Sequence, residues 1–162
     1  MSNHALEKNI QTMANVDQAA RFHGRNSKGN LPPNLLVYTI DACHSYRMRN
    51  IIHEHGYPTT KLIGKEGMKN WWILVQHQDL DPDLQKKCLK RCDFAPNEHA
   101  FLMDRVLVNT GKPQRYGTQL NAPLIDRKKI ETARRKLGLS SLEEYLTQSK
   151  RLAKEYQNQK KR

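Results

Sequence analysis

Apolar residues recur at helical spacing along almost the whole chain. Six segments place apolar residues three and four positions apart, which is the period of an α-helix. The alternation of every second residue that marks a strand is nearly absent, and only Asn34–Ile40 competes as a strand. We therefore predict an all-α fold of about five to seven helices.

The segment between Lys65 and Gln78 is apolar on nearly every side, because it contains Met68 and the run Trp71–Val75. A helix without a polar face is buried, so we expect this Trp-containing helix at the centre of the core. The length of 162 residues is typical of one domain. We place a single compact domain at residues 1–148 and a basic, helical C-terminal extension at residues 149–162.

Turn and capping residues predict where other helices begin and end. The first helix is expected to end near Phe22, before a loop at His23–Asn34 that is rich in Gly, Pro and Asn. Asp81–Pro82 begins a helix with an N-cap and a proline in the first turn, and Ser140 with Glu143 forms a capping box for the last helix. The inner face of that last helix is predicted to contain Leu142, Tyr145, Leu146, Leu152, Ala153 and Tyr156.

Composition excludes several classes of protein. The formal charge is +12, but residues 127–162 hold most of the excess, so the basicity is largely a property of the C-terminus. No apolar run approaches the roughly 18 residues of a membrane span, and no secretory signal is visible at the N-terminus. Three cysteines do not suggest a disulfide framework, so we expect a reducing compartment and a cytoplasmic protein.

A carboxylate is predicted to point into the core at Asp104. Its neighbours three and four positions away, Ala100, Phe101, Leu107 and Val108, are all apolar. An unpaired buried charge costs several kcal/mol, so a partner must come from elsewhere in the fold. Both a structural ion pair and a catalytic or ligand-orienting carboxylate fit this pattern.

Similar polar residues interrupt other apolar faces. His77 follows apolar residues three and four positions earlier, at the C-terminal end of the predicted buried helix. Asp17 lies on the apolar stripe of the first helix with Arg21 one turn later, and Asp41 shares a face with His44. A histidine in such a place is either a hydrogen-bonded core residue or an acid–base group.

Residues 111–119 form an irregular segment that combines glycines with many side-chain donors. A non-helical stretch directly after a core helix is a plausible place for a site on a rigid scaffold. An ordinary polar turn has the same composition.

The polar residues occur in a specific order, which is Asp17-Gln18-x-x-Arg21, Gly56-Tyr57-Pro58, Gln76-His77, Asp104-Arg105 and Gly111-x-Pro113-Gln114-x-Tyr116-Gly117-Thr118-Gln119. In this order the chain resembles a bacterial domain-of-unknown-function family whose signature is QH … DR … GxPQxYGTQ. The resemblance covers about residues 10–146. Since that family has no settled activity, the resemblance implies a shared pocket and does not name a reaction.

Together these observations favour a small cytoplasmic enzyme. We expect metal-independent acid–base chemistry without a cofactor, namely hydrolysis, elimination or group transfer on a polar or anionic small molecule or peptide. His77 and Asp104 are the predicted catalytic residues, with Asp104 or Asp17 orienting the histidine and Arg21 or Arg105 holding an anionic group. The predicted substrate-binding residues are Asp17, Arg21, Gln76, Arg105, Gln114, Tyr116, Thr118 and Gln119, and Asp41 and His44 are additional candidates.

Two other functions remain open on the sequence. One is a non-enzymatic module that binds a peptide or nucleic acid through the basic C-terminal helix. The other is a metal site built from His77 with Asp79 or Asp81 and a remote histidine. We expect any nucleic-acid contact through the C-terminus to be weak and non-specific, and we expect no membrane contact.

Overall fold

The computed structural model describes residues 2–26, 35–120 and 122–159. Within those ranges the chain forms seven α-helices and no strand, so the predicted all-α class is confirmed. The helices are α1 (His4–Asn26), α2 (Leu35–His55), α3 (Thr60–Gln76), α4 (Pro82–Arg91), α5 (Pro96–Asn109), α6 (Arg127–Lys136) and α7 (Leu142–Gln159).

Two compact units hold these helices, residues 1–98 and residues 99–162. The first unit contains α1 to α4 and the start of α5, and the second contains the rest of α5 with α6 and α7. Helix α7 runs without a break across residue 148, where the sequence predicts the start of a basic extension. Residues 160–162 of that extension lie outside the described part of the chain.

In the first unit α1 packs against both α2 and α3, and α4 packs against α3. Trp71 on α3 is fully buried, so the prediction of a central Trp-containing helix is confirmed. Trp72 is half-buried, and its indole N–H donates to the carbonyl of Glu98 at 2.8 Å. The fully buried apolar side chains of this unit include Ile10, Met48, Ile63, Leu74, Val75 and Cys88.

Helix α3 begins earlier than the sequence predicts. It starts at Thr60, and the side chain of Thr59 accepts a hydrogen bond from the Leu62 N–H. The backbone leaves helical geometry at Gly64, with φ 70° and ψ 175°. The predicted start at Lys65 therefore corresponds to the second of two helical segments that meet at this kink.

The end of α1 also differs from the prediction, and the start of α2 decides an alternative that the sequence leaves open. Helix α1 continues to Asn26 beyond the predicted end at Phe22, and residues 27–34 of the predicted loop lie outside the described residues. Residues 35–40 are the first turns of α2, so the alternative of a strand there is wrong. The packing of α2 against α1 outweighs the weak local preference of this apolar run for a strand.

In the second unit α6 packs against α7. The side chain of Asp126 accepts the N–H of Lys129 at 3.1 Å, as expected for the N-cap of α6. The capping box of α7 is Ser141 with Glu144, one position later than predicted. The Ser141 hydroxyl accepts the Glu144 N–H, and the Glu144 carboxylate accepts the Ser141 N–H.

The predicted inner face of α7 is only partly correct. Leu142 is buried, whereas Leu152 is 53 % exposed. Periodicity predicts which residues share a helix face, but it does not predict how far along the helix a neighbouring element covers that face. The side chains of Ala153 and Tyr156 lie outside the described part of the structure.

A loop between α5 and α6 closes on itself. The Gln114 N–H donates to the Pro123 carbonyl at 2.8 Å, and the Ile125 N–H donates to the Gln114 carbonyl at 3.1 Å. These two bonds form an isolated parallel bridge between Gln114 and Leu124. They hold the 111–119 segment beside the C-terminal half of α5.

None of the described helices has the combination of length and apolar sequence that crossing a membrane requires.

Candidate functional site

A cluster of charged side chains lies in the first unit, where α1, α2 and the end of α3 meet. Asp17 and Arg21 are one turn apart on α1, Asp41 is on α2, and His77 is the C-cap residue of α3. Asp17 continues the buried face of α1, so its carboxylate is directed inward and is only 1 % exposed. The inward position predicted for Asp17 is confirmed.

His77 and Asp17 form the closest pair in this cluster. The distance between His77 Nδ1 and Asp17 Oδ2 is 2.8 Å. The Arg21 Nε lies 2.9 Å from the same His77 Nδ1 and 3.2 Å and 3.3 Å from the two oxygens of Asp17. The His77 side chain is 22 % exposed, so one side of the pair is buried and the other reaches the surface.

Arg21 links the two carboxylates of the cluster. Its Nη2 lies 2.6 Å from Asp41 Oδ1 and 3.1 Å from Asp17 Oδ1. Gln18 adds a hydrogen bond from its amide nitrogen to Asp17 Oδ2 at 2.8 Å. Burial raises the pKa of Asp17, but the hydrogen bonds and charges of His77 and Arg21 outweigh burial and hold the pKa below its usual value.

Asp41 and His44 respond differently to burial. Burial raises the pKa of Asp41, and the attraction of Arg21 offsets this only in part, while the charge of Asp17 adds to it. Burial lowers the pKa of His44, so this imidazole is neutral at physiological pH. The His44 Nδ1 is buried and has no hydrogen-bond partner among the described residues.

A shallow groove runs between α1 and α2 and reaches His44. Its volume is about 490 Å³, which is within the range of small-molecule sites. The groove is lined by Ala5, Lys8, Asn9, Thr12, Met13, Val16 and His44. Val16 precedes Asp17 in the chain, so the groove runs along the helix that carries the buried carboxylate.

A second polar cluster, in the second unit, is centred on Asp104. This residue is 0 % exposed, so the predicted inward direction is confirmed. Its carboxylate accepts the backbone N–H groups of Arg115, Tyr116 and Thr118 at 2.8–3.2 Å, and the Thr118 hydroxyl at 3.0 Å. The partners of this buried charge are backbone amides and a hydroxyl rather than the ion pair that the sequence suggests.

The other predicted residues of the 111–119 segment also bond to the backbone. Gln114 is fully buried, and its side chain donates to the carbonyls of Gln119 and Ala122 and accepts the Gln119 N–H. The Thr118 carbonyl accepts the hydroxyl of Tyr145 at 2.8 Å. Each of these contacts fixes the path of the loop.

Arg134 on α6 completes this cluster. It is 3 % exposed, and its guanidinium donates to the carbonyls of Tyr116 at 2.7 Å and Ser140 at 2.6 Å. The Arg134 guanidinium also lies 5.1 Å from the ring centroid of Tyr145. A buried cation that bonds to two loop carbonyls ties both loops to α6.

The structure thus groups the predicted site residues into two sets. Asp17, Arg21, Asp41, His44 and His77 lie together in the first unit, and Gln76 is buried next to His77 in the chain. The set in the second unit contains Asp104, Gln114, Tyr116, Thr118 and Gln119. The partner that the structure gives to His77 is Asp17, one of the two carboxylates that the sequence offers.

Four further residues, in the two clusters or next to them in the chain, have no site role predicted from the sequence, namely Gln18, Gln78, Arg134 and Tyr145. Gln18 follows Asp17 directly, so its amide was available as a signal of a hydrogen-bonded carboxylate. Gln78 is 2 % exposed with an amide nitrogen that has no partner among the described residues. Arg134 and Tyr145 act on carbonyls 18 and 27 positions away, and no local pattern indicates such contacts.

Among the described residues, no three His, Cys, Asp or Glu side chains converge as ligands for a metal ion. In the first cluster the guanidinium of Arg21 lies between the carboxylates of Asp17 and Asp41, where it supplies the positive charge.

Comparison with known proteins gives a family for this chain and no relative of known activity. Residues 4–157 match the model of a family of unknown function, DUF6624. No curated protein and no solved structure matches the chain. Because the match spans nearly all of the 162 residues, the chain belongs to the DUF6624 family.

Proposed function

We propose that this protein is a small enzyme in which His77 is a general base and Asp17 is its positioning residue. The observation that carries the proposal is the 2.8 Å contact between a carboxylate that is 1 % exposed and a histidine that is 22 % exposed. General bases need a fixed orientation and an accessible nitrogen. A buried carboxylate on one ring nitrogen supplies the orientation and leaves the other nitrogen for a substrate.

The hydrogen bonds of Asp17 favour one tautomer of His77. A carboxylate that accepts from Gln18 and Arg21 can also accept the Nδ1 proton of the imidazole. A proton on Nδ1 leaves the lone pair on Nε2, the nitrogen that removes a proton from water or a substrate. Arg21 donates to the same carboxylate and keeps it ionised.

Asp41 and His44 are proposed as the groups beside this base. The raised pKa of Asp41 makes it the more readily protonated carboxyl of the cluster, which suits a proton donor. His44 is neutral and has an unpaired Nδ1, so it can exchange a hydrogen bond with a polar group of a substrate. The groove that His44 lines is the proposed path by which a substrate reaches this histidine.

The charges of the cluster favour a neutral or cationic substrate over an anionic one. Two carboxylates share one guanidinium, so Arg21 is already neutralised by Asp17 and Asp41. An anionic group would meet an excess of negative charge there. We therefore narrow the expected substrate to a polar small molecule or peptide group without negative charge.

The proposed reaction begins with a direct proton transfer to His77 and forms no covalent intermediate with the enzyme. Hydrolysis, elimination and group transfer all begin when a base removes a proton from water or from the substrate. In the hydrogen bonds of the described residues no Ser or Cys side chain is a partner of His77. The nucleophile is then water or a second substrate.

Asp104 is proposed as a structural residue rather than as a catalytic one. Its two oxygens accept four donors from Arg115, Tyr116 and Thr118, which leaves little capacity for a substrate. Gln114 and Gln119 bond mainly to the loop itself. This second cluster fixes the shape of the 111–119 loop.

We also propose that QH … DR … GxPQxYGTQ is the signature of the family, that the family is bacterial, and that this protein is cytoplasmic. The order of these residues along the chain supports the signature. An alignment of family members tests it directly.

The experiment measures the acylation rate of each histidine by diethyl pyrocarbonate, followed by mass spectrometry. We expect His77 to react faster than the exposed His53, although His77 is less accessible, because Asp17 makes its free nitrogen a better nucleophile. Asp17→Asn should slow the acylation of His77 about tenfold, which is less than the roughly 10²–10⁴-fold that general-base catalysis itself typically provides. His53 in the same sample is the internal control.

Substrate screening completes this test. Purified protein is assayed against esters, amides and amidines, with His77→Gln as the inactive reference and His53→Gln as the matched active control. Activity that His77→Gln retains would contradict the proposal. An unchanged acylation rate of His77 in Asp17→Asn would do the same.

A further inference from the structure

A basic groove lies on the second unit and shares Arg115 with the Asp104 cluster. It is formed by one face of α6 and by residues of the preceding loop, and its volume is about 410 Å³. Its lining residues are Arg115, Ile125, Lys128, Lys129, Thr132, Ala133 and Lys136. Four of these side chains are cationic and none is acidic.

The four cations of this groove are exposed and unpaired. Arg115, Lys128, Lys129 and Lys136 are all exposed, and the ion pairs of the described residues leave them without an acidic partner. Among the described residues, Asp126 at the N-cap accepts the backbone N–H of Lys129, and none of the ion pairs involves Lys128, Lys129 or Lys136. A concave surface with this charge attracts an anion.

The placement of Lys128 and Lys129 does not stabilise α6, whereas Lys136 lies in the last turn, where a cation is favourable. The first turn of the helix has no acidic residue, and Arg127, Lys128 and Lys129 all lie there. The N-terminus of a helix carries partial positive charge, so cations in the first turn are unfavourable. Because α6 gains nothing from Lys128 and Lys129, a ligand is the better explanation of their position.

The charge distribution separates this groove from the C-terminal helix. Over residues 142–159, α7 has three basic and three acidic side chains and therefore no net charge. Over residues 127–136, α6 has six basic side chains and one acidic side chain. Of these two helices, α6 therefore carries the net positive charge.

The shape of the groove favours a single extended anion. Lys128 and Lys136 are eight residues apart, which is about 12 Å along a helix at 1.5 Å per residue. That span is longer than one phosphate group and corresponds to several phosphates of a nucleic-acid strand. A flat membrane surface would contact only the rim, and a duplex is wider than a groove of this volume.

We propose that this groove binds the sugar–phosphate backbone of a single-stranded nucleic acid without reading its sequence. Arg115, Lys128, Lys129 and Lys136 contact successive phosphates, and Ile125 and Ala133 form the apolar part of the wall. The lining contains no aromatic ring on which a base could stack, so the contacts are to the backbone. This site is independent of the proposed chemistry of His77.

The test measures binding of a labelled single-stranded oligonucleotide of about a dozen nucleotides by fluorescence anisotropy over a range of salt concentrations. Four phosphate contacts predict a slope of log K against log salt of about −3, from about −0.7 per contact. The triple variant Lys128→Gln, Lys129→Gln and Lys136→Gln should reduce the magnitude of that slope by about 2 and weaken binding at least about tenfold at low salt.

The matched control removes the same charge elsewhere. Lys61, Lys65 and Lys69 are exposed on α3 at four-residue spacing, and their triple replacement by Gln changes the net charge equally. We expect this control to bind as the unmodified protein does. Equal weakening by both triple variants would overturn the proposal, because it would show an effect of net charge alone.

Two other anionic ligands test whether the groove prefers a different class of partner. A poly-glutamate peptide and vesicles of phosphatidylserine with phosphatidylcholine are titrated under the same conditions. Binding of either one through the α6 lysines, without binding of the oligonucleotide, would overturn the proposal. Circular dichroism of all variants checks that the helices are intact.

Discussion

At the scale of single residues, two buried aspartates have different kinds of partner. Asp17 accepts hydrogen bonds from the side chains of Arg21 and Gln18, and its Oδ2 lies 2.8 Å from Nδ1 of His77. Asp104 accepts them mainly from backbone N–H groups of the 115–118 loop. Titratable side-chain partners allow proton transfer, whereas backbone amides cannot titrate and only fix a conformation.

The apolar faces of the helices were sufficient to predict that both aspartates point inward. They were not sufficient to predict the partners, because His77 lies 60 positions from Asp17 in the chain. A contact between residues so far apart depends on how α1 packs against α3, and a local pattern carries no information about that packing. For the same reason the sequence left open whether Asp17 or Asp104 orients His77.

Because His44 is buried, we expect the protein to lose stability on mild acidification. Its pKa in the folded protein is below the value of 6.5 for an exposed histidine, mainly because of burial. Below about pH 6.5 the unfolded chain therefore binds a proton that the folded protein does not, and the free energy of unfolding falls as pH falls. His99 acts in the same direction, since burial also lowers its pKa.

Thermal unfolding at several pH values between 7.5 and 5.5 measures this effect. The melting temperature should fall across that range, and His44→Gln should make the dependence shallower. His99→Gln should remove a further part of the pH dependence of the melting temperature. At lower pH, protonation of Asp41 raises the free energy of unfolding, because the raised pKa of Asp41 makes the folded protein bind this proton more readily than the unfolded chain does. A melting temperature that rises from pH 7 to pH 5.5 would contradict the account.

At the scale of elements, the loop between α5 and α6 is fixed by contacts with three helices of its unit. Asp104 on α5 holds its backbone amides, Arg134 on α6 holds the Tyr116 carbonyl, and Tyr145 on α7 holds the Thr118 carbonyl. This explains why residues 111–119 combine small and polar residues. Most of these polar side chains bond to the loop, which the composition alone did not distinguish from a ligand site.

The position of Gly117 in this loop leaves no room for a side chain. Its φ is 69°, and an added Cβ would lie 2.6 Å from Cδ1 of the buried Leu142. Gly111 has a similar φ of 71°, but nothing lies within 4 Å of an added Cβ. Gly111→Ala should cost about 1 kcal/mol from the left-handed backbone alone, and Gly117→Ala about 3 kcal/mol because overpacking is added.

Urea denaturation of the two variants measures the difference in the free energy of unfolding. The comparison isolates the contact with Leu142, because both glycines have the same backbone conformation. Equal losses of stability in the two variants would show that the loop does not pack tightly against α7.

At the scale of the whole molecule, the helical class and some helix starts could be predicted from the sequence. The N-caps Asp81 and Asp126 and the central position of Trp71 all follow from local rules. The kink at Gly64 and the exposure of Leu152 could not be predicted, because both depend on which elements cover a helix. The net charge of the C-terminal residues did not predict where the basic surface lies. It did not distinguish the cations of α6, which are in excess, from the charges of α7, which balance.

The central claim is that Asp17 fixes His77 with its free lone pair on Nε2. The Arg21 Nε lies 2.9 Å from the same His77 Nδ1, so the opposite tautomer would allow a hydrogen bond from Arg21 to Nδ1 instead. Long-range ¹H–¹⁵N NMR of the neutral ring distinguishes the two tautomers. The account predicts a proton on Nδ1 in the unmodified protein and a loss of that preference in Asp17→Asn. A proton on Nε2 in the unmodified protein would contradict it.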